Sequence, residues 1–248
     1  MFLGILMKNS RQLRLPGFAL VALLSLALSS GLTACERAAA YTQPTVVRVI
    51  DASYVAPAIK VNIDGALIAA NIGRGIFTNY GTLAAKSGAL ITVAPSAGGA
   101  PLISTSTSLL PGQQHSILIT DNGLAPATYD VTLLDDQRTP AATSHSAFRF
   151  INQGLKGGPV DIYMVPNGVT LANAVPVVAN MPAGSVTGYV NFTSQTVNMI
   201  VTAAGATTVK YTSPAIDLNG GEVRTVLLVD SKSATNPPVT AFIGSDVN

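Results

Sequence analysis

The chain has no tryptophan, one cysteine and two histidines among its 248 residues, and only 10% of its residues are charged. Each scarcity excludes something. A single cysteine allows no internal disulfide, so stability must come from buried apolar cores, which a chain of this length can build. With no cysteine pair and no closely spaced histidine pair, zinc has no ligand set. His145 falls in a polar, proline-containing stretch and His115 opens an apolar strand. Neither accompanies a nucleophile elbow or an orienting acid, so a hydrolase is the least favoured class. No phosphate-cradling glycine loop follows a strand, and no metal or cofactor is expected. A sugar-stacking platform would have to be made from tyrosines alone.

The formal net charge of +2 belongs to the front of the chain. Lys8, Arg11 and Arg14 precede Cys35 and no acidic residue does, which leaves eleven basic against twelve acidic residues from Cys35 onward. That balance, with no basic stripe, gives nucleic acid no electrostatic footprint.

After those three basic residues come "FALVALLSLAL" (Phe18–Leu28) and then Ser29-Ser30-Gly31. Basic, apolar, then small is the layout of an export signal, and the apolar core is shorter than the about 20 residues of a membrane span. Leu32-Thr33-Ala34-Cys35 follows and resembles the lipobox of bacterial lipoproteins. Small residues let a signal peptidase close on the backbone, while the Cys35 thiol takes a diacylglycerol. The expectation is a cleaved signal over 1–34, an acylated Cys35, and a tether over 35–45. Each buried methylene contributes about 0.8 kcal/mol, and two chains already anchor stably, so the bilayer is the first expected partner. The implied place is extracytoplasmic, on a bacterial membrane. Glu36 after the cysteine favours the outer membrane or cell surface, and Met7-Lys8 is a more usual signal start than Met1.

Removing the signal exposes a duplication. "VVRVIDASYVAPAIKVNIDG" (46–65) and "AFRFINQGLKGGPVDIYMVPNG" (147–168) each carry an arginine inside an apolar strand, Arg48 and Arg149. Each then has a polar residue, Asp51 or Asn152, a proline, an alternating strand, and Asp64-Gly65 or Asn167-Gly168. The echo continues through Tyr80 and Tyr189, "ALITVAP" (89–95) and "VNMIVTA" (197–203), and "HSILITDNG" (115–123) and "RTVLLVDSK" (224–232). "YDVTLL" (129–134) sits where "TAFIGS" (240–245) does. Ile59, Val61 and Ile63 alternate with polar residues, as on a strand with one buried face. Asp-Gly and Asn-Gly suit two-residue hairpins. No stretch has helical periodicity with caps. The fold class read from this is all-β: two tandem Ig-like antiparallel β-sandwiches of six to eight strands each. Repeat 1 spans 46–137, a linker 138–146, and repeat 2 147–248, with an extended loop at 169–184.

"DASYVAPAIKVNIDG" resembles the opening of the bacterial domain of unknown function 4397, whose repeats read His-Ala-Ser-Pro-Asp-Ala-Pro-x-Val-Asp-Val-Tyr-x-Asp-Gly. Asp51, Ala52, Ser53, Ala56, Pro57, Val61, Asp64 and Gly65 fit, and Arg48 stands where that family often has arginine. Copy two keeps Pro159, Val160, Asp161, Ile162, Tyr163 and Gly168. The family's histidine is replaced by Asp51 and Asn152. The resemblance implies a secreted or surface-attached sandwich in tandem and no particular activity.

An arginine inside an apolar strand calls for a counter-charge, because a lone buried cation is prohibitively costly. Asp121 and Asp230 recur in register and are the partners expected for Arg48 and Arg149. Asp121-Asn122 with Asp130, or Asp135-Asp136, could offer calcium its oxygens, but turn chemistry accounts for such residues more simply. Tyr80 and Tyr189 read as framework; Tyr54 and Tyr163 are the candidate ligand contacts. The function expected is a non-enzymatic anchored lipoprotein, a binding, adhesion or envelope scaffold module meeting a protein or glycan. The alternative is a carbohydrate-binding accessory module.

Overall fold

The computed structural model describes residues 43–232 and 238–247, and the signal, Cys35 and the tether up to Thr42 lie outside the described residues. The described residues form an all-β protein with one short 3-10 turn at Leu171–Asn173 and no α-helix. Repeat 1 contributes β1 (Pro44–Asp51), β2 (Ile59–Ile63), β3 (Ala66–Ile72), β4 (Gly81–Ala84), β5 (Lys86–Pro95), β6 (Ile103–Leu109), β7 (Gln114–Asp121) and β8 (Tyr129–Asp135). Repeat 2 contributes β9 (His145–Gln153), β10 (Val160–Pro166), β11 (Val178–Met181), β12 (Ser185–Val186) and β13 (Val190–Thr193). It closes with β14 (Thr196–Ala203), β15 (Val209–Asp217), β16 (Val223–Asp230) and β17 (Val239–Ser245).

Each repeat is a sandwich of two open sheets. In repeat 1 the sheet orders are β4-β1-β7-β8 and β3-β2-β5-β6; in repeat 2 they are β12-β9-β16-β17, with β13 also on β9, and β11-β10-β14-β15. The pairing is not antiparallel throughout. β1 runs parallel to β7, and β9 runs parallel to β16, so each inner sheet is mixed. Between β2 and β3 the Asp64-Gly65 turn has positive φ at both residues, as a two-residue hairpin requires. At Asn167-Gly168 only the glycine is left-handed, and the chain passes through the 3-10 turn before returning as β11. The second hairpin expected from the sequence is therefore replaced by an excursion over residues 169–177.

Side-chain alternation shows how the sheets stack. Val47, Val49, Ile117 and Ile119 fill the core of repeat 1 with Ile59, Val61, Ile91 and Val93. Phe148, Phe150, Val226 and Leu228 do the same in repeat 2 with Ile162, Met199 and Val201. The residues between them on β1, β7, β9 and β16 point the other way and are buried too. Ile50, Ala52 and Leu118 of repeat 1 meet Ile151, Leu227 and Val229 of repeat 2 in a third core. The two inner sheets thus pack face to face, which is why their strands read as continuous apolar runs rather than clean alternation. Aromatic rings close this contact over glycines. A Cβ on Gly75 would stand 2.5 Å from the Phe242 ring, and one on Gly244 would collide with Phe77.

Leu227→Ala removes a fully buried side chain from this third core without touching either sandwich interior. We expect it to cost about 2–5 kcal/mol in urea unfolding, as core Leu→Ala changes do. A cost below about 0.5 kcal/mol would mean that the two repeats do not pack in solution.

Candidate functional site

The inter-repeat surface holds a cluster of charge at one end. Arg48 on β1 and Arg149 on β9 are 1% and 3% exposed. Their counter-charges are crossed between repeats. Arg48 Nη2 donates to Asp246 Oδ1 at 2.5 Å, and Arg149 Nη2 donates to Asp136 Oδ1 at 2.6 Å. Asp136 follows β8 and belongs to repeat 1, whereas Asp246 follows β17 and belongs to repeat 2, so each arginine meets a carboxylate at this shared surface. Arg48 reaches across to Asp246, and Arg149 reaches back to Asp136.

The remaining donors and acceptors repeat with pseudo-two-fold symmetry. Asp136 Oδ2 accepts from the Ser116 hydroxyl at 2.6 Å and the Tyr80 phenol at 2.7 Å. Asp246 Oδ2 accepts from the Thr225 hydroxyl at 2.5 Å and the Tyr189 phenol at 2.6 Å. Arg48 Nε donates to Ser116 Oγ and Nη1 to the Ser245 carbonyl; Arg149 Nε donates to Thr225 Oγ1 and Nη1 to the Asp135 carbonyl. The guanidinium carbons lie 4.7 Å from the Tyr80 ring centre and 5.0 Å from that of Tyr189. Gln114 adds a side-chain bond to the Asp246 carbonyl.

This arrangement meets the condition under which buried charge is tolerable: opposite charges in contact, with their remaining lone pairs and protons satisfied. Burial pushes both phenols well above the usual tyrosine range, and the neighbouring carboxylates push further, so Tyr80 and Tyr189 remain donors. Burial alone would pull the Arg149 guanidinium down. The Asp136 carboxylate, the Tyr189 phenol and Asp246 outweigh it and raise it instead.

The partners expected for the arginines are corrected here. Asp121 and Asp230 do not pair with Arg48 and Arg149. In the parallel register Arg48 lies opposite Ser116. Asp121 is five residues farther along β7, about 16 Å away at strand rise, and an odd offset turns it to the opposite face. The two aspartates share another task at the far end of their strands. Asp121 accepts the Val55 and Gly123 N–H groups, and Asp230 accepts the Lys156 N–H, each clamping the loop after its repeat's first strand. The true partners were hidden by a one-residue slip in the last strand. Tyr129 pairs with Asp121 and Val239 pairs with Asp230, so "YDVTLLDD" aligns with "VTAFIGSD" and both end on the cluster aspartate.

The other singled-out residues are dispersed. Tyr54 packs under Arg74 and Lys156, whose cationic groups lie 5.5 and 4.0 Å from its ring centre. Tyr163 lies on β10 of the other repeat, opposite Ile200. They do not form a common platform. The oxygens considered for calcium are divided: Asp121 clamps a loop, Asp135 Oδ1 stands 2.9 Å from His115 Nδ1, and Asp136 sits in the cluster. His145 opens β9 rather than lying in the linker.

Asp51 and Asn152 stand at matching positions beside the loop clamps. Asp51 Oδ1 accepts the Ser53 N–H and hydroxyl, while its Oδ2 is buried with no hydrogen-bond partner. Burial raises the Asp51 carboxyl above its ordinary value, with Asp121 adding like charge, and the Ser53 bonds only partly offset this. Asn152 solves the same problem without charge, accepting the Gly154 N–H and donating to the Met181 carbonyl.

Residues 45–163 match the model of a known family, the domain of unknown function DUF4397. The match covers repeat 1 and enters repeat 2 as far as β10. A comparison with functionally described proteins finds no match. Among solved structures, the chain is similar to CBMbc, a family CBM26 module of Eubacterium rectale Amy13K crystallised with maltoheptaose. Identity is 11%, coverage is 81% of this chain and 96% of that one, and the TM-score is 0.25. It is also similar to the Bacillus anthracis TIE protein at 8% identity, covering 82% and 44%, with a TM-score of 0.22. Likeness at this level carries no argument about ligand or activity.

Two outcomes follow from these environments. Asp246→Ala removes the closest counter-charge of the buried Arg48 guanidinium, and we expect a loss of about 3–5 kcal/mol, the range for breaking a buried pair from one side. A loss typical of an exposed pair, below about 1 kcal/mol, would contradict the cluster. Asp51→Asn reproduces the repeat 2 solution. A carboxyl whose folded pKa is raised stabilises the fold below its unfolded pKa and loses that contribution as pH climbs through the folded value. The variant should therefore melt above the wild type at pH 7, with the gain shrinking as pH falls toward 4. A gain that grew on acidification would be inconsistent with the orphaned oxygen.

Proposed function

We propose that the chain is a non-enzymatic, membrane-anchored extracytoplasmic lipoprotein serving as a binding, adhesion or envelope scaffold module. In this reading acylated Cys35 holds the front end in the bilayer. Residues 36–45 tether a double sandwich that meets a protein or glycan of the envelope.

The observation that carries the reading is the commitment of the buried cluster. Both carboxylates accept from an arginine, a hydroxyl and a phenol, and both arginines donate to carboxylate, hydroxyl and carbonyl. Acid–base or nucleophilic work needs a group with an available proton or lone pair aimed at a substrate. These groups face one another, and what they accomplish is registration of two sandwiches. His115 is fully buried, with Nε2 accepting the Leu110 N–H, so it faces no substrate. A rigid pair holds its outer sheets and loops at a fixed spacing, which suits presentation to a partner.

Mass spectrometry of the protein from its native membrane tests the anchor. The expected front peptide begins at Cys35 and carries a diacylglyceryl group on sulfur and an acyl chain on the new amine. A front peptide that retains residues 1–34 and a free thiol would overturn the reading.

A further inference from the structure

The two repeats are each other's control, and at one end they differ. In repeat 1 that end is shut. His115 is 0% exposed, its Nδ1 is 2.9 Å from Asp135 Oδ1 and its Nε2 accepts the Leu110 N–H at 3.3 Å. The repeats align through the matching bonds of Ser116 and Thr225 and through the left-handed Gly112 and Gly221. Arg224 then occupies the His115 position, Ser245 that of Asp135, Asn219 that of Leu110, Asp217 that of Ser108, and Glu222 that of Gln113. In place of a buried histidine there is an open cleft of about 410 Å³ between β15 and β17. Asp217, Asn219, Arg224 and Ser245 line it, with Ile216 and Ile243 among its apolar walls.

Its polar groups are fixed in advance. Arg224 Nη2 lies 2.6 Å from Glu222 Oε2, and the guanidinium rests 5.8 Å from the Phe148 ring centre. Asn219 donates to Glu222 through its backbone N–H at 3.2 Å and its amide at 3.1 Å. Glu222 thereby takes over the loop N–H that His115 holds in repeat 1. Burial alone would raise the Glu222 carboxyl, but the bonds from Asn219 and Arg224 outweigh it and hold it below the usual range, so it stays an acceptor. Thr196 donates to Asp217 Oδ1 at 2.7 Å, steadying the opposite wall.

A guanidinium fork beside carboxylates and an amide offers adjacent donors and acceptors, the requirement for a pair of neighbouring hydroxyls. Ile216 and Ile243 supply apolar wall for C–H faces. A carboxylate already paired with the guanidinium and a second on the same cleft lining disfavour an anion. We propose that this cleft of repeat 2 binds one unit of a neutral saccharide. The proposal rests on the reading of the chain as an extracytoplasmic binding module and names its ligand class.

Calorimetry and saturation-transfer NMR on the purified full-length protein test it, with neutral glucose-, galactose-, mannose- and N-acetylglucosamine-based oligosaccharides as probes. At least one should bind. Asp217→Ala and Asn219→Leu should each weaken it tenfold or more with little change in melting temperature, since both residues and their hydrogen bonds are exposed. Ser108→Ala, at the shut end of repeat 1, should leave affinity unchanged. Silence across the panel, equal affinity in Asp217→Ala, or preference for a uronic acid over its neutral parent would each overturn the proposal. Fractionating the same cells separates two failures: a membrane-bound protein that binds no sugar loses the cleft assignment and keeps the anchored-module reading.

Discussion

Two arginines, each ion-paired across a shared surface, determine how this protein is put together. A guanidinium taken out of water costs several kcal/mol even after relaxation, and only close, saturated partners offset it. Here the closest part of that offset is present when both repeats are. Arg48 has Ser116 beside it in its own repeat, but its carboxylate at contact distance is Asp246 of repeat 2. Arg149 likewise needs Asp136 from repeat 1. Within its own repeat each arginine keeps only a longer contact, Arg48 with Asp136 at 4.0 Å and Arg149 with Asp246 at 3.8 Å, so separating the sandwiches removes the closest counter-charge of both. Apolar contact alone is tolerant of sliding; crossed, bidentate-capable pairs fix one register.

That constraint explains features otherwise hard to place. β1, β7, β9 and β16 are buried on both faces because they form the inner layers of a four-sheet stack rather than the wall of an isolated sandwich. Gly75 and Gly244 are small because Phe242 and Phe77 from the opposite repeat lie on them. Tyr80 and Tyr189 recur because each caps a carboxylate and an arginine face together. The unit of folding implied by this geometry is the pair.

Much of the fold was legible. Alternation in Ile59–Ile63, the Asp64-Gly65 turn and the recurrence of Arg48 and Arg149 gave strands, a hairpin and a duplication. What local pattern could not give was which face of a strand met which neighbour. Asp121 and Asp230 recur as faithfully as the arginines, but recurrence does not encode side-chain direction, and the parallel β1–β7 register turns them away. Two signals did point to the contact. The runs "VVRVID" and "HSILITD" are too continuously apolar for a sheet with a solvated face, and a one-residue shift would have aligned Asp136 with Asp246. The cleft of repeat 2 was less accessible. It arises from five substitutions between repeats that come together only when β15, β16 and β17 are assembled.

The same duplication that builds a locked pair leaves its ends free to diverge. One end of repeat 1 is sealed by His115, and the matching end of repeat 2 is open and charged. Shared cores conserve the scaffold while unshared ends acquire chemistry, as expected when function sits in loops and strand ends on a rigid frame. The two sandwiches thus behave as one body. Scanning calorimetry tests it most directly by comparing the calorimetric enthalpy of unfolding with the van't Hoff enthalpy. A single body unfolds in one transition in which the two agree for the entire double sandwich. Two resolved transitions, or a van't Hoff enthalpy near half the calorimetric value, would contradict it.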